Sequence, residues 1–229
     1  MTRSGAANCP YIIPLQHAPT SYPETTTMKY DPEKHHRRSI RLKHYDYSQP
    51  GCYFLTMCTR NGECIFGEIS ENGMKLNAFG EIVQLYWNKI PQRYPKTESV
   101  AFVVMPNHVH GIVCIPDARD NIVRAVHDAK RRSQSPLPKS PLPKTRRNML
   151  IPKLVGWFKM NTAKLINQIR KTRGISVWQR NYWEHVIRNE KSMNRIYEYI
   201  QTNPFRWHLD RNNPTREGED DFDKWIASL

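Results

Sequence analysis

The sequence predicts an α+β fold, an antiparallel β-sheet with helices packed on it. Three observations carry this. Short runs rich in β-forming residues recur, as in "CYFLTMCTR" (52–60) and "SVAFVVM" (99–105). Two such runs meet at a tight Pro106–Asn107 turn, the mark of antiparallel neighbours. Amphipathic segments with apolar residues at three- and four-residue spacing stand between them.

Residues 1–36 read as an unstructured N-terminal extension, rich in proline and without a continuous apolar run; Met28 is a candidate natural start. "HHRRSIRLK" (35–43) is a basic arm, equally a solvated strand or a phosphate-contacting segment. "CYFLTMCTR" alternates as a strand, and "NGE" (61–63) predicts a hairpin turn into a second strand, "CIFGEIS". "ENGMKLN" reads as a further turn. "NAFGEIVQLYWNKIPQRY" (77–94) follows as an amphipathic helix with Phe79, Ile82, Val83, Tyr86, Trp87 and Ile90 on one face. "SVAFVVM" and "HVHGIVCI" (108–115) are the third and fourth strands. Residues 116–150 form a linker in which "SPLPKSPLPK" (135–144) repeats a proline-rich unit between basic residues.

Folding resumes at 151–173, a helix with six basic residues, no acid and an apolar stripe of Leu154, Val155, Phe158, Leu165, Ile166 and Ile169. "VWQRNYWEHVIR" (177–188) is partly strand. A last helix covers 189–203, with Asn189 as its N-cap and Pro204 at its end. It buries Met193, Ile196 and Ile200. Residues 209–229 are an acidic tail, with Trp225 and Ile226 available to dock.

The net charge of +14 points to a polyanionic partner, nucleic acid before an acidic membrane surface. No apolar run approaches the ~20 residues of a membrane span. The five cysteines form no C-x-x-C pair, which removes a zinc-finger reading; their scattered spacing suits free thiols in a reducing cytosol.

His108 and His110 are two apart in a strand, so both imidazoles leave the same face of the sheet. Neutral imidazoles at that spacing can share a divalent ion, with a third ligand from elsewhere and positions left open for substrate. Hydrogen bonding of both rings to backbone or water is the alternative. A histidine-triad hydrolase would continue the alternation, but Ile112 stands at the next same-face position. In the last helix Tyr199 and Asn203 are four apart and lie one above the other. The residues alone equally allow an amphipathic tyrosine at the rim of the core and a helix-capping asparagine.

"VVMPNHVHGIV", the basic helix, "WQRNYWEHVIRNE" and "YEYIQTNPFRW", in that order, resemble the single-tyrosine HUH transposases, in particular the REP-associated tyrosine transposases and insertion-sequence-200-like relatives. The likeness runs from about residue 37 to 208. It implies a ferredoxin-like catalytic domain, with Mg²⁺ or Mn²⁺ on His108 and His110 and Tyr199 as the nucleophile. Asn203 stands where some relatives carry a third ligand, commonly Gln, and is one methylene shorter. The implied activity is that of a single-strand DNA nickase and strand transferase acting near a hairpin through a 5′-phosphotyrosine. Such a protein is expected in the cytoplasm with the nucleoid, as a monomer or a homodimer, without a membrane. Arg131, Arg132, Arg146, Arg147, Lys153, Lys159 and Lys164, with Lys130, are candidates for the DNA backbone path. Trp157, Trp178, Tyr182 and Trp183 are candidates for base stacking or core packing. A DNA-hairpin-binding protein without cleavage, and a metal-dependent phosphodiesterase that uses water, are the alternatives.

Overall fold

The computed structural model describes residues 45–116 and 149–228. The extension up to residue 44, "SPLPKSPLPK" and the basic residues Lys130, Arg131, Arg132, Arg146 and Arg147 lie outside the described residues.

Among the described residues, six strands and five α-helices follow one another: β1 (Gly51–Cys58), β2 (Gly67–Ser70), β3 (Gly73–Leu76), α1 (Ala78–Asn88), α2 (Ile90–Arg93), β4 (Glu98–Val104), β5 (His108–Ile115), α3 (Leu150–Ile169), β6 (Trp183–Ile187), α4 (Glu190–Thr202) and α5 (Asp221–Ala227). A four-stranded antiparallel sheet runs in the order β4-β5-β1-β6. The series β1-α1-β4-β5-α3-β6 is therefore the split βαβ arrangement of a ferredoxin-like domain, as expected.

Pairing around β1 differs from the expected hairpin. Residues Arg60–Gly62 form a 3-10 turn, and β1 pairs with β5 and β6 across long stretches of sequence. The 64–70 segment hairpins forward instead, with β2 pairing β3 through Ser70↔Gly73, so "GMKL" is a strand rather than a turn. Gly73 has φ +98, a conformation that a side chain would strain. The expected helix over 77–94 breaks near Lys89: Pro91 cannot donate a backbone bond, so α2 begins afresh at Ile90. Asn77 caps α1, accepting from Phe79 N and Gly80 N, and Asn189 caps α4, accepting from Ser192 N.

The sheet is covered on both faces. On one, Tyr53, Leu55, Met57, Val109 and Val113 pack with Trp87 of α1 and Ile151, Leu154 and Phe158 of α3. On the other, Phe54, Ile112 and Cys114 pack with Met193, Ile196, Tyr199 and Ile200 of α4 and Phe222 and Ile226 of α5. The acidic tail thus closes onto the second face, where Asp220 caps α5 by accepting from Phe222 N. All eight residues of β5 are buried, because this strand is central and sandwiched between helices.

The cysteines correct the free-thiol expectation. Cys52 and Cys114 oppose each other in the β1–β5 register and are joined by a disulfide. Their spacing in sequence gave no hint of this, since the register is set by strand pairing across 62 residues. No helix among the described residues is long and apolar enough to cross a membrane.

Gly111 on β5 faces Trp87, whose ring stacks on Phe102 at 4.2 Å between centroids and donates from Nε1 to Ser99 Oγ at 2.6 Å. A Cβ at Gly111 would overlap Trp87 Cη2 and Cζ2 and approach Phe102 Cδ2 to 3.2 Å. The strand glycine is needed for close approach of a ring that is held on two sides. Gly111→Ala should lower unfolding stability by about 2–3 kcal/mol in chemical denaturation. An unchanged midpoint would mean the indole moves without cost.

Candidate metal centre and tyrosine site

β5 presents His108 and His110 on the face that α4 covers, as the two-residue spacing predicts. Both rings are buried, at 0% and 3% exposure. Their outward nitrogens are occupied: His108 Nδ1 meets Asn107 Oδ1 at 2.8 Å, and His110 Nδ1 meets Thr56 Oγ1 at 2.8 Å. Thr56 is there because it opposes His110 in the β1–β5 register. The Nε2 atoms consequently point inward and lie 2.9 Å apart.

A carboxylate that the sequence did not reveal completes the group. Asp210 Oδ2 lies 3.5 Å from His108 Nε2 and 3.9 Å from His110 Nε2. Asp210 caps the end of a 3-10 segment, Asn203–Leu209, that follows directly on α4 and carries Pro204 in its first turn. Its Oδ1 accepts from Asn212 N at 2.7 Å, which fixes the plane of the carboxylate. Nothing in the sequence distinguishes this loop aspartate from the other acids; it is brought to the site by a non-repeating turn and lies two residues past the expected end of the domain.

Tyr199, 3% exposed, projects from α4 into the same group. Its hydroxyl donates to Asp210 Oδ2 at 3.2 Å and lies 3.3 Å from His110 Nε2. The helix of one chain therefore carries the phenol to the histidines of that same chain. Phe222 of α5 stacks face to face on the Tyr199 ring, centroids 3.7 Å apart. Tyr197, two residues away, is exposed. Asn203 is also at the site and buried, but its Nδ2 donates to Asp210 Oδ2 at 2.9 Å. Its Oδ1 is buried with no hydrogen-bond partner among the described residues. Asn203 is thus bonded to the aspartate, and Asp210 is a further candidate for a third ligand.

Burial, then the charge of His108, pushes His110 down to about 4, against the opposing pull of Asp210. Burial acts to raise the Asp210 carboxyl, but the charge and hydrogen bonds of the two histidines outweigh it and hold it well below its ordinary value. Burial first, and then the charges of Asp210 and Asp223, hold the Tyr199 phenol well above its ordinary range. The phenol is therefore protonated in this environment.

Three potential ligand atoms, one each from His108, His110 and Asp210, lie within 4.8 Å of one another, all buried. Two imidazole nitrogens and a carboxylate suit a divalent cation. A Mg²⁺- or Mn²⁺-sized ion with ligands at about 2.1 Å sets neighbouring donors about 3 Å apart, close to the spacing of the two Nε2 atoms.

The chain is 43% identical over 188 residues to an uncharacterized protein of Haemophilus influenzae, covering 81% of this chain and 97% of that protein. It is 27% identical over 161 residues to a second H. influenzae protein, described as a "putative REP-associated tyrosine transposase", covering 70% of this chain and 74% of that one. The chain is thus similar to a REP-associated tyrosine transposase along most of its length. A solved structure of a REP-associated tyrosine transposase bound to a REP hairpin aligns with 75% of this chain and 74% of its own, at 19% identity and a TM-score of 0.42. No family model matches.

The remaining residues singled out in this transposase relative divide by location. Lys153, Lys159 and Lys164 lie on α3, which packs on the sheet face opposite Tyr199. Lys153 and Lys164 are exposed, whereas Lys159 Nζ donates to Gln179 O at 2.9 Å and Asn181 O at 2.7 Å. Trp178 is buried and donates to Thr162 Oγ1, and Trp157 packs against Tyr86 and Tyr94, so both serve the core. Tyr182 is half-buried against that same core, under the Lys159 amine. Trp183 is half-buried on the site face, opposite Thr56 in the β1–β6 register.

Asp210→Ala removes one ligand and releases the hydrogen bonds of Tyr199 and Asn203. Its Mn²⁺ affinity in isothermal titration calorimetry should fall at least about tenfold relative to wild type. Equal affinity would remove Asp210 from the ligand set.

Proposed function

We propose that this protein cleaves and rejoins single-stranded DNA by attack of Tyr199 on a phosphodiester beside a divalent cation held by His108, His110 and Asp210. The observation that carries the reading is the Tyr199 hydroxyl within 3.3 Å of both a histidine nitrogen and the carboxylate of that group. A phenol with no chemical role has little reason to be buried against two imidazoles and a carboxylate.

When bound, Mg²⁺ or Mn²⁺ supplies positive charge that polarises the phosphate and offsets developing charge on its oxygens. The protein does the rest. His108, His110 and Asp210 fix the place where the phosphate sits. α4 fixes the phenol, so attack is effectively intramolecular. Asp210 holds the phenol proton in the resting site and is the acceptor nearest to it. The Tyr199 oxygen would form a bond to phosphorus as the 3′-oxygen leaves, giving a 5′-phosphotyrosine and a free 3′-hydroxyl. Attack by a 3′-hydroxyl on that ester would reverse the step and join strands. A water nucleophile would release the end instead, and the placement of Tyr199 favours the tyrosine.

Phe222 lies flat on the tyrosine ring and helps to hold the phenol beside His110 and Asp210. Arg211, next to Asp210, lines a depression beside α5 and is the cation there for the DNA backbone, since Arg216 and Lys224 in the same depression pair with Asp223 and Glu219. Lys153 and Lys164 on α3 extend this role away from the site, and Arg131, Arg132, Arg146 and Arg147 are further candidates for it from the sequence. Trp183 is the aromatic best placed to stack a base.

Labelled single-stranded oligonucleotides carrying a hairpin, incubated with Mn²⁺, should yield a DNA adduct that survives denaturant. Tyr199→Phe should abolish the adduct, a loss of at least about 10³-fold, while retaining DNA binding. Cleavage without an adduct would instead indicate a water-using phosphodiesterase, and binding without cleavage a hairpin-binding protein.

A further inference from the structure

We infer that Asn107 is a positioning residue for the cation site: its one carboxamide sets the tautomer of His108 and fastens the loop that carries Asp210. The inference rests on reading His108, His110 and Asp210 as cation ligands.

Asn107 occupies the turn between β4 and β5 and is 1% exposed. Its Nδ2 donates to Gly62 O at 3.0 Å and to Asn212 O at 2.7 Å. These two carbonyls fix the orientation of the amide, because the flipped form would set Oδ1 against two acceptors. The Oδ1 is thereby turned to His108 Nδ1 at 2.8 Å. An amide oxygen can only accept, so the proton of neutral His108 resides on Nδ1. Its Nε2, which faces His110 Nε2 and Asp210, is then the nitrogen that offers a lone pair to a cation.

The second donor bond reaches the third ligand. Asn212 accepts from Asn107 through its carbonyl, and its own N–H donates to Asp210 Oδ1 at 2.7 Å. One residue therefore links the strand ligand to the loop ligand, which are 102 positions apart in sequence. The Asn107 backbone is itself held, since its carbonyl accepts from Thr59 N at 2.8 Å. Aspartate would keep the acceptor for His108 but lose both donors. Alanine would lose all three bonds. Only a carboxamide of this length presents an acceptor on one side and two donors on the other.

The test begins with the unaltered, metal-free protein. Long-range ¹H–¹⁵N correlation of labelled histidines, with His108 assigned by its absence in His108→Gln, should show His108 protonated on Nδ1. A bare Nδ1, with the proton on Nε2 alone, overturns the inference without any change at Asn107. Asn107→Ala should let His108 repopulate the Nε2–H form and weaken Mn²⁺ binding 10- to 100-fold by calorimetry. Asn107→Asp should keep the Nδ1–H form yet lose Mn²⁺ affinity by about tenfold or more, through release of the Asp210 loop. Unchanged affinity in either variant also overturns it. The tautomer is read without metal or DNA, so failure of the tyrosine chemistry would appear separately, as a missing DNA adduct with the Nδ1–H form intact.

Discussion

Three groups that normally accept hydrogen bonds are brought together in a buried space: the inward nitrogens of His108 and His110 and the carboxylate of Asp210. Such a meeting is unfavourable unless a cation or a proton is shared and every remaining polar atom has a partner. The surrounding chain meets the second condition. Asn107 and Thr56 take the outer imidazole nitrogens, Asn212 N takes one carboxylate oxygen, and Tyr199 and Asn203 donate to the other. The chemistry available to Tyr199 follows from this crowding, because the phenol is one of the donors that relieve it.

The sheet separates packing from chemistry. On the α1–α3 face the contacts are apolar and close, to the point that Trp87 lies across the bare backbone of Gly111. On the α4–α5 face apolar residues ring a polar centre, with Phe54 touching His110, Tyr199 and Phe222. β5 belongs to both faces. A strand so enclosed cannot shift register without exposing its apolar residues and burying others, and this rigidity holds two imidazoles within hydrogen-bond distance of each other. The Cys52–Cys114 disulfide fastens the same β1–β5 pair at its far end.

Much of the architecture was legible because it is periodic. The period-two pattern of β5 assigned Val109 and the histidines to opposite faces, and the three-four spacing of Met193, Ile196 and Ile200 gave the buried side of α4. Capping by Asn189 was equally readable, since it depends on the first turn alone. The misplaced hairpin after β1 shows the limit: "NGE" is a good hairpin turn locally, but β1 gains more by pairing on both edges in the centre of the sheet. Asp210 was invisible for a related reason, as its position follows from an irregular turn and long-range bonds.

By itself, the sequence determined the fold class, the shared face of His108 and His110, the helix that bears Tyr199, and a surplus of positive charge suited to nucleic acid. These follow from local periodicity and composition, which need no knowledge of distant neighbours. Tertiary structure alone decided that Asp210 meets the two histidines with Asn203 bonded to it, that the acidic tail folds over the tyrosine, and that the lysines of α3 face away from it. Each of those depends on which distant segments meet, and that is settled by the packing of the whole sheet and its two helical layers.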